Sequence, residues 1–313
     1  MIRVRSLRVD YEDVTAVLDL DLDIAPGEIY GLVGPNGAGK TSTIKAVAGI
    51  LEATYGEVRI GDAHMAHNPE EGWRALGYMP DFPPVYEQLR VWEYLDVFGA
   101  AHLLPRKDRR ARARYWLERV QLVEEWNTLV GDLSRGMCQR LVLAKTLMHE
   151  PKALLLDEPA SGMDPVARIQ LRDVLREVAR KGAAILVSSH ILSELSDMCT
   201  SIGVMDRGRM VVSGGLEEIR RRSGLAGRLI VRIAGTGEPA HAAIERILRG
   251  AEVVLDPRRD TAGVWTAAFT GGDNEAAALL AALAGAGVPV AEFQVRKEGI
   301  EDIFLRVSGR AEG

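Results

Sequence analysis

Ile29-Tyr30-Gly31-Leu32-Val33-Gly34-Pro35-Asn36-Gly37-Ala38-Gly39-Lys40-Thr41-Ser42 is the stretch that decides the fold. Its first five residues carry no charge and follow the turn signal Pro26-Gly27, so they read as a buried strand. The next eight fit G-x-x-x-x-G-K-[ST] at every position. Glycines let backbone N–H groups converge on phosphate oxygens, and the helix expected from Thr43 to Leu51 adds the positive end of its dipole. Gly34, Pro35, Asn36, Gly37, Ala38, Gly39, Lys40, Thr41 and Ser42 are therefore candidate phosphate-binding residues. Lys40 would bring a full charge to the β- and γ-phosphates, and the Thr41 hydroxyl suits Mg²⁺.

Two further uncharged runs, Ala153-Leu154-Leu155-Leu156 and Ala184-Ile185-Leu186-Val187, have the look of parallel strands covered on both faces. The first ends in Asp157-Glu158. Asp157 could hold Mg²⁺ through water, and Glu158 could polarise an attacking water or take its proton. The second ends in Ser188-Ser189-His190. A histidine there could touch a γ-phosphate and orient Glu158. Read alone, it is equally compatible with a helix cap or a packing role. Between phosphate loop and acidic strand lies Leu133-Ser134-Arg135-Gly136-Met137. Ser134 is a natural helix N-cap, and Gly136 keeps the helix start open to a second anion. An ordinary capped helix fits the same residues.

Upstream, the alternation of Ile2, Val4, Leu7, Val9 and then Val17, Leu18, Leu20, Leu22, Ile24 predicts half-buried antiparallel strands. From Val91 to about Trp126 the pattern is helical and charged, and its basic stretch, residues 106–114, reads as a solvated face. Beyond Gly224 the order strand, helix, strand, strand, helix, strand is compatible with a small ferredoxin-like domain.

Composition narrows the partners. A net charge of −5 does not suggest a general nucleic-acid binder. Cys138 and Cys199 form no metal-binding spacing and read as reduced packing residues. The opening residues 1–13 lack the apolar core of a signal peptide. The longest uncharged apolar stretch, residues 276–291, is broken by Gly285, Gly287 and Pro289 and is short of the roughly 20 residues a membrane span needs. A buried helix followed by a strand is expected there instead, so any membrane role would come through a partner.

Taken together in this order, the motifs resemble those of the nucleotide-binding subunit of an ABC transporter. Residues 34–41 match Walker A, and 154–158 match Walker B with its glutamate. Residues 133–137 resemble the LSGGQ signature, 161–164 the D-loop, and His190 the switch histidine. Tyr11 stands where the family places an aromatic against adenine, although a strand residue is the competing reading. The resemblance implies an α/β P-loop cassette over residues 1–222, with a mixed sheet core, an antiparallel β subdomain and a helical subdomain at about 86–145. A small α+β ferredoxin-like domain over 223–313 would follow. It also implies ATP and Mg²⁺ as cofactors, with Glu158 and His190 catalytic. Tyr11, residues 34–42, Ser134 and Gly136 would bind nucleotide, and Thr41, Asp157 and Asp81 would serve the metal.

Implied too are a head-to-tail dimer with a second copy and a polytopic membrane permease as partner, with no nucleic acid. The location would be the cytoplasmic face of the membrane. A soluble ABC ATPase serving repair or translation is the competing class. Two motifs depart from the pattern. Arg135 and Met137 replace Gly and Gln in the signature, and Asp81 replaces Gln after Gly77-Tyr78-Met79-Pro80. Arg135 has two outlets, a phosphate or solvent, and solvent is the expectation. With Tyr86, residues 91–95 and the tail 299–305, these departures resemble exporter ATPases encoded apart from their membrane subunits, of the drug-resistance and sodium-efflux types.

Overall fold

The computed structural model describes residues 1–82, 84–216, 227–234 and 238–296. The chain divides into two compact units, Met1–Leu216 and Glu217–Gly313. The boundary expected at 222/223 and the tail 299–305 lie outside the described residues.

The first unit is built on two sheets. Strands β1 (Ile2–Tyr11), β2 (Val14–Ile24), β4 (Tyr55–Ile60) and β5 (Ala63–His64) form an antiparallel sheet in the order β2-β1-β4-β5. The alternation read from the sequence puts Ile2, Val4, Leu7 and Val9 inside, all fully buried. The second sheet has six strands in the order β10-β9-β3-β8-β7-β6. Its members are β3 (Ile29–Val33), β6 (Leu76–Met79), β7 (Ala153–Leu156), β8 (Ala184–Ser189), β9 (Ser201–Asp206) and β10 (Arg209–Gly215). Five run parallel and only β10 is antiparallel. Every residue of β3, β7 and β8 is buried, as their continuous apolar runs require.

Helix α1 (Lys40–Val47) lies between the sheets and shares their core through Ile44 and Val47. It starts three residues before the expected Thr43, because Gly39 in the left-handed region terminates the loop, and ends before Leu51, where Gly49 at φ 69° turns the chain. Helix α2 (Pro69–Ala75) leads into β6. The charged stretch after Val91 is two helices, α3 (Val91–Ala101) and α4 (Arg106–Arg119). Between them Leu103 takes φ 58°, and Pro105, which has no N–H to donate, stands just ahead of α4. The basic face of α4 is solvated at Arg106, Lys107, Arg110 and Arg114, as expected, while Arg109 pairs with Asp96 at 2.9 Å and Arg112 with Glu150 at 3.2 Å. Helix α5 (Arg135–Leu147) lies against α3, α4 and β6, so it joins the helical subdomain to the sheet. Helices α6 (Pro165–Arg180) and α7 (Leu192–Ser196) complete the unit.

The second unit has β11 (Gly227–Ile233), α8 (Glu238–Gly250), β12 (Val254–Arg259), β13 (Trp265–Phe269), α9 (Asp273–Gly285) and β14 (Val290–Arg296). The strand order β12-β13-β11-β14, with every pair antiparallel, is that of a split βαβ ferredoxin-like sheet. Its core gathers Leu229, Val231, Ile244, Leu248 and Phe269. The Ala-rich helix α9 buries only Leu279 and Leu283, so the expectation of a buried helix there is corrected to a helix with one buried edge. Among the described residues no helix is long and apolar enough to cross a membrane.

Candidate functional site

The parallel register brings the motifs together. Val33 pairs with Ser189, Leu156 with Val187, and Met79 with Leu156. The residues just past these pairs are Gly34, His190, Asp157, Glu158 and Asp81. All therefore stand at the carboxyl ends of neighbouring strands, where open α/β sheets bind ligands. A cleft of about 700 Å³ opens there, a volume suited to a nucleotide. Tyr11, residues 36–42, Asp81, Glu158 and His190 line it.

The loop needs its glycines at two positions in particular. Gly39 has φ +101°, and a Cβ there would stand 2.3 Å from the Ala16 carbonyl oxygen. Gly34 has no room either, since its Cβ would lie 2.3 Å from the Met205 oxygen. Helix α1 has no side-chain cap and no acidic residue in its first turn. Its leading N–H groups are thus left to whatever occupies the cleft.

Lys40 is buried, and its ammonium donates to the carbonyl oxygens of Gly34 at 2.8 Å and Pro35 at 3.2 Å. It lies 3.7 Å from Glu158 Oε1. Burial lowers its pKa, and Glu158 and Asp157 work against that shift.

Glu158 has φ +49°, a region non-glycine residues seldom occupy and one that costs on the order of 1 kcal/mol. Two hydrogen bonds hold it there: its N–H donates to Ser188 Oγ at 3.0 Å, and its carbonyl accepts from the Ser161 N–H at 3.1 Å. Ser188 Oγ in turn donates to Asp157 Oδ1 at 2.6 Å. Ser188 therefore fixes both acids at once. His190 Nδ1 stands 2.9 Å from Glu158 Oε2. Tyr11 lies at the mouth of the cleft, half exposed, and its hydroxyl shares a 3.3 Å hydrogen bond with Ser42.

Asp81 lies in the wall of the cleft with Oδ1 buried and unbonded. Burial raises its carboxyl pKa, and the charges of Asp157 and Glu158 add to the rise. Among the described residues no group of three or more His, Cys, Asp or Glu could hold a metal unaided. The donors that face the cleft, the Thr41 hydroxyl and the Asp81 carboxylate, are hard oxygens, and Asp81 has a lone pair to give. That set fits Mg²⁺ sharing its coordination with phosphates and water.

Ser134 and Gly136 do not join this cleft. Ser134 caps α5 by accepting the Met137 N–H at 3.3 Å. A Cβ on Gly136 would meet nothing within 4 Å, so its own chain has no steric need of a glycine there. Arg135 is exposed, as expected. Its guanidinium lies over the Phe82 ring, 5.2 Å from the centroid.

Sequence reading missed Ser188 as a brace, although it had quoted the residue at its strand end. It also missed Val14, Thr15, Ala16, Arg207 and Gly208 in the cleft lining. The hairpin signal Asp206-Arg207-Gly208 was the available clue to the last two.

Comparison with known proteins follows the same lines. Residues 17–161 match the family model described as ABC transporter. The uncharacterized ABC transporter ATP-binding protein YxlF of Bacillus subtilis is 31% identical over 98% of this chain and 99% of its own length. The Nod factor export ATP-binding protein I of Cupriavidus pinatubonensis is 30% identical over 99% of this chain and 91% of its own. The solved ATP-binding subunit of an ABC transporter superposes with a TM-score of 0.68 at 32% identity, over 72% of this chain and 94% of that one. Both relatives extend over nearly the whole chain, whereas the solved subunit matches under three quarters of it.

Proposed function

The chain belongs to the family of ABC transporter ATP-binding subunits, ATPases coupled to transport, and from that premise we propose that two copies close head to tail on two MgATP molecules and drive a separate membrane permease, as an exporter. The observation that carries this reading is the separation of two helix starts. One, at α1, opens into a cleft that also holds Glu158 and His190. The other, at α5, lies outside that cleft with open space over Gly136. A two-fold axis would bring each α5 start to the other copy's cleft and complete two identical sites.

In each site the loop amides and Lys40 bind the phosphates, and Tyr11 covers the adenine face. Glu158 takes the proton of the attacking water. His190, bonded to Glu158 through Nδ1, orients that carboxylate and presents its other ring nitrogen toward the γ-phosphate. Thr41, Asp81 and Asp157 would hold Mg²⁺, which would neutralise phosphate charge when bound. The γ-phosphate bridges the two copies, so its loss loosens the dimer, and the permease feels the change. Export is supported by the Nod factor export relative. The chain would sit on the cytoplasmic face of the membrane, held there by the permease.

The test is purification of the tagged chain from detergent-solubilised membranes. A polytopic membrane protein should co-purify in fixed ratio and change the ATPase rate. A chain that stays in the soluble fraction without a membrane partner would overturn the transport assignment.

A further inference from the structure

Helix α4 carries a charge pattern that the nucleotide cleft does not use. Residues 106–114 hold six cations and one acid, in a chain whose net charge is −5. Two of the six are matched by carboxylates, Arg109 by Asp96 and Arg112 by Glu150. Arg106, Arg110 and Arg114 have no carboxylate partner among the described residues. Spaced four apart, they form one row along the helix, and all three are exposed. Like charges at this spacing repel, and Arg106 and Lys107 also stand at the positive end of the helix dipole. The row therefore costs the free chain some stability, which a bound anion would restore.

Aromatic and apolar groups flank the row. The Arg110 and Arg114 guanidiniums lie over the ring of Trp126, 5.7 and 5.2 Å from its centroid. Trp92 joins Trp126, Arg106, Arg109 and Arg110 around a cleft of about 470 Å³ beside the row. Three residues ahead of the row stands Leu103, 84% exposed, more than any other large hydrophobic side chain among the described residues. Its φ of 58° is held by two hydrogen bonds: its own N–H donates to the Ala100 oxygen at 2.9 Å, and the Leu104 N–H to the Gly99 oxygen at 3.0 Å. A free anion would account for the arginines but not for a leucine held out in water. An anionic lipid surface accounts for both. Guanidiniums bind phosphates, indoles settle at the level of the headgroups, and a leucine enters the acyl boundary.

We propose that the turn between α3 and α4 and the row Arg106, Arg110, Arg114 form a contact surface for anionic phospholipid headgroups. The row takes phosphates, Leu103 enters the bilayer surface, and Trp92 and Trp126 lie between them. This contact gives the chain a direct hold on the membrane beside the one through the permease, and it needs no nucleotide.

Co-sedimentation of the purified full chain with lipid vesicles, without nucleotide, tests it. The chain should bind vesicles of phosphatidylcholine containing about 30% phosphatidylglycerol and should leave pure phosphatidylcholine vesicles unbound. Sodium chloride at about 0.5 M should release it. Arg106→Gln should weaken binding about fivefold, and the triple change Arg106→Gln, Arg110→Gln, Arg114→Gln about 100-fold. Leu103→Asn suits the left-handed backbone and should weaken binding about fivefold without lowering Tm. Where the triple variant loses stability, Arg106→Gln carries the test, because Arg106 has neither a carboxylate nor a ring partner among the described residues. A chain that binds neither kind of vesicle, or both equally, would overturn the proposal. So would a triple variant that binds anionic vesicles as the wild type does; loss of the co-purified permease in that variant would then assign the row to an acidic protein segment. None of these measurements requires a permease or ATP turnover, so failure of the transport assignment would leave them standing.

Discussion

The starts of α1 and α5 are alike in what they offer and opposite in what surrounds them. Each presents the free N–H groups of a helix, after Gly39 in one case and around Gly136 in the other. At α1 the chain encloses its own offering. Gly39 is pressed against Ala16, Lys40 is buried, and Glu158 stands 3.7 Å from the ammonium. At α5 the chain supplies only a Ser134 cap and leaves the space over Gly136 open. In the proposed dimer this difference makes the first start a whole phosphate cradle and the second half of a site. The α1 loop serves its own fold and its ligand together. The α5 start is a helix that folds well without any ligand.

The comparison can be broken most decisively at Lys40. Lys40→Ala should lower the affinity of the isolated chain for MgATP by about 100-fold or more, since a buried cation is removed from the phosphates. Equilibrium dialysis with labelled nucleotide measures this. An affinity within a few-fold of the wild type would mean that the cleft is not the phosphate site.

A paired glycine experiment sharpens the contrast. Gly39→Ala forces a side chain onto φ +101° and against the Ala16 oxygen, so it should cost about 1–3 kcal/mol of stability. Gly136→Ala meets no atom and places a better helix former at the start of α5. Its stability should stay level or rise by up to about 1 kcal/mol, while steady-state turnover falls because the partner's approach is obstructed. Urea unfolding and ATPase assays read the two quantities separately. A Gly136→Ala chain with full turnover would remove the reason for treating that helix start as half of a site.

These contrasts show how far the sequence reaches. The phosphate loop and both strand ends were legible because each is a local pattern, and parallel pairing carries local patterns to a common edge. Ile29, Ala153 and Ala184 each open a charge-free run, which is enough to predict β3, β7 and β8. The break at Leu103 was harder. Pro105 hinted at it, but the strong helical pattern on both sides concealed it. Two things were beyond any local pattern. Ser188 braces Asp157 and Glu158 across two strands, and Arg135 finds Phe82 across the fold. Both depend on which side chains a long-range topology brings into contact. The basic stretch of α4 hid two ion pairs for the same reason, because the partners of Arg109 and Arg112, Asp96 and Glu150, come from other segments.

The smallest expected effect concerns how the helices that carry α5 are held. Glu177 on α6 accepts hydrogen bonds from Arg119 at 2.8 Å and from Tyr115, and it pairs with Lys181. Burial alone would raise its carboxyl pKa, but bonds to Lys181, Tyr115 and Arg119 outweigh that and hold it at about 2. A depressed carboxyl pKa stabilises the fold above its unfolded value and loses that contribution as pH falls toward 2. Because the group is partly open to solvent, the effect should be less than about 1 kcal/mol. Glu177→Gln should therefore lower Tm slightly at pH 7, and the difference from wild type should shrink as pH falls below about 4.5 and vanish below about pH 2. A Tm difference that stays constant across this range would show that the pair is not what links α4 to α6.

The central claim is that the cleft and the α5 start are two halves of one site shared between copies. Mass measurement in solution tests it directly, using Glu158→Gln to slow hydrolysis about 10²–10⁴-fold. With MgATP this variant should run at twice the monomer mass, and with MgADP at the monomer mass. Adding Ser134→Arg should keep nucleotide binding and restore the monomer. A Glu158→Gln chain that binds MgATP and remains a monomer, or a dimer indifferent to Ser134→Arg, would contradict the account.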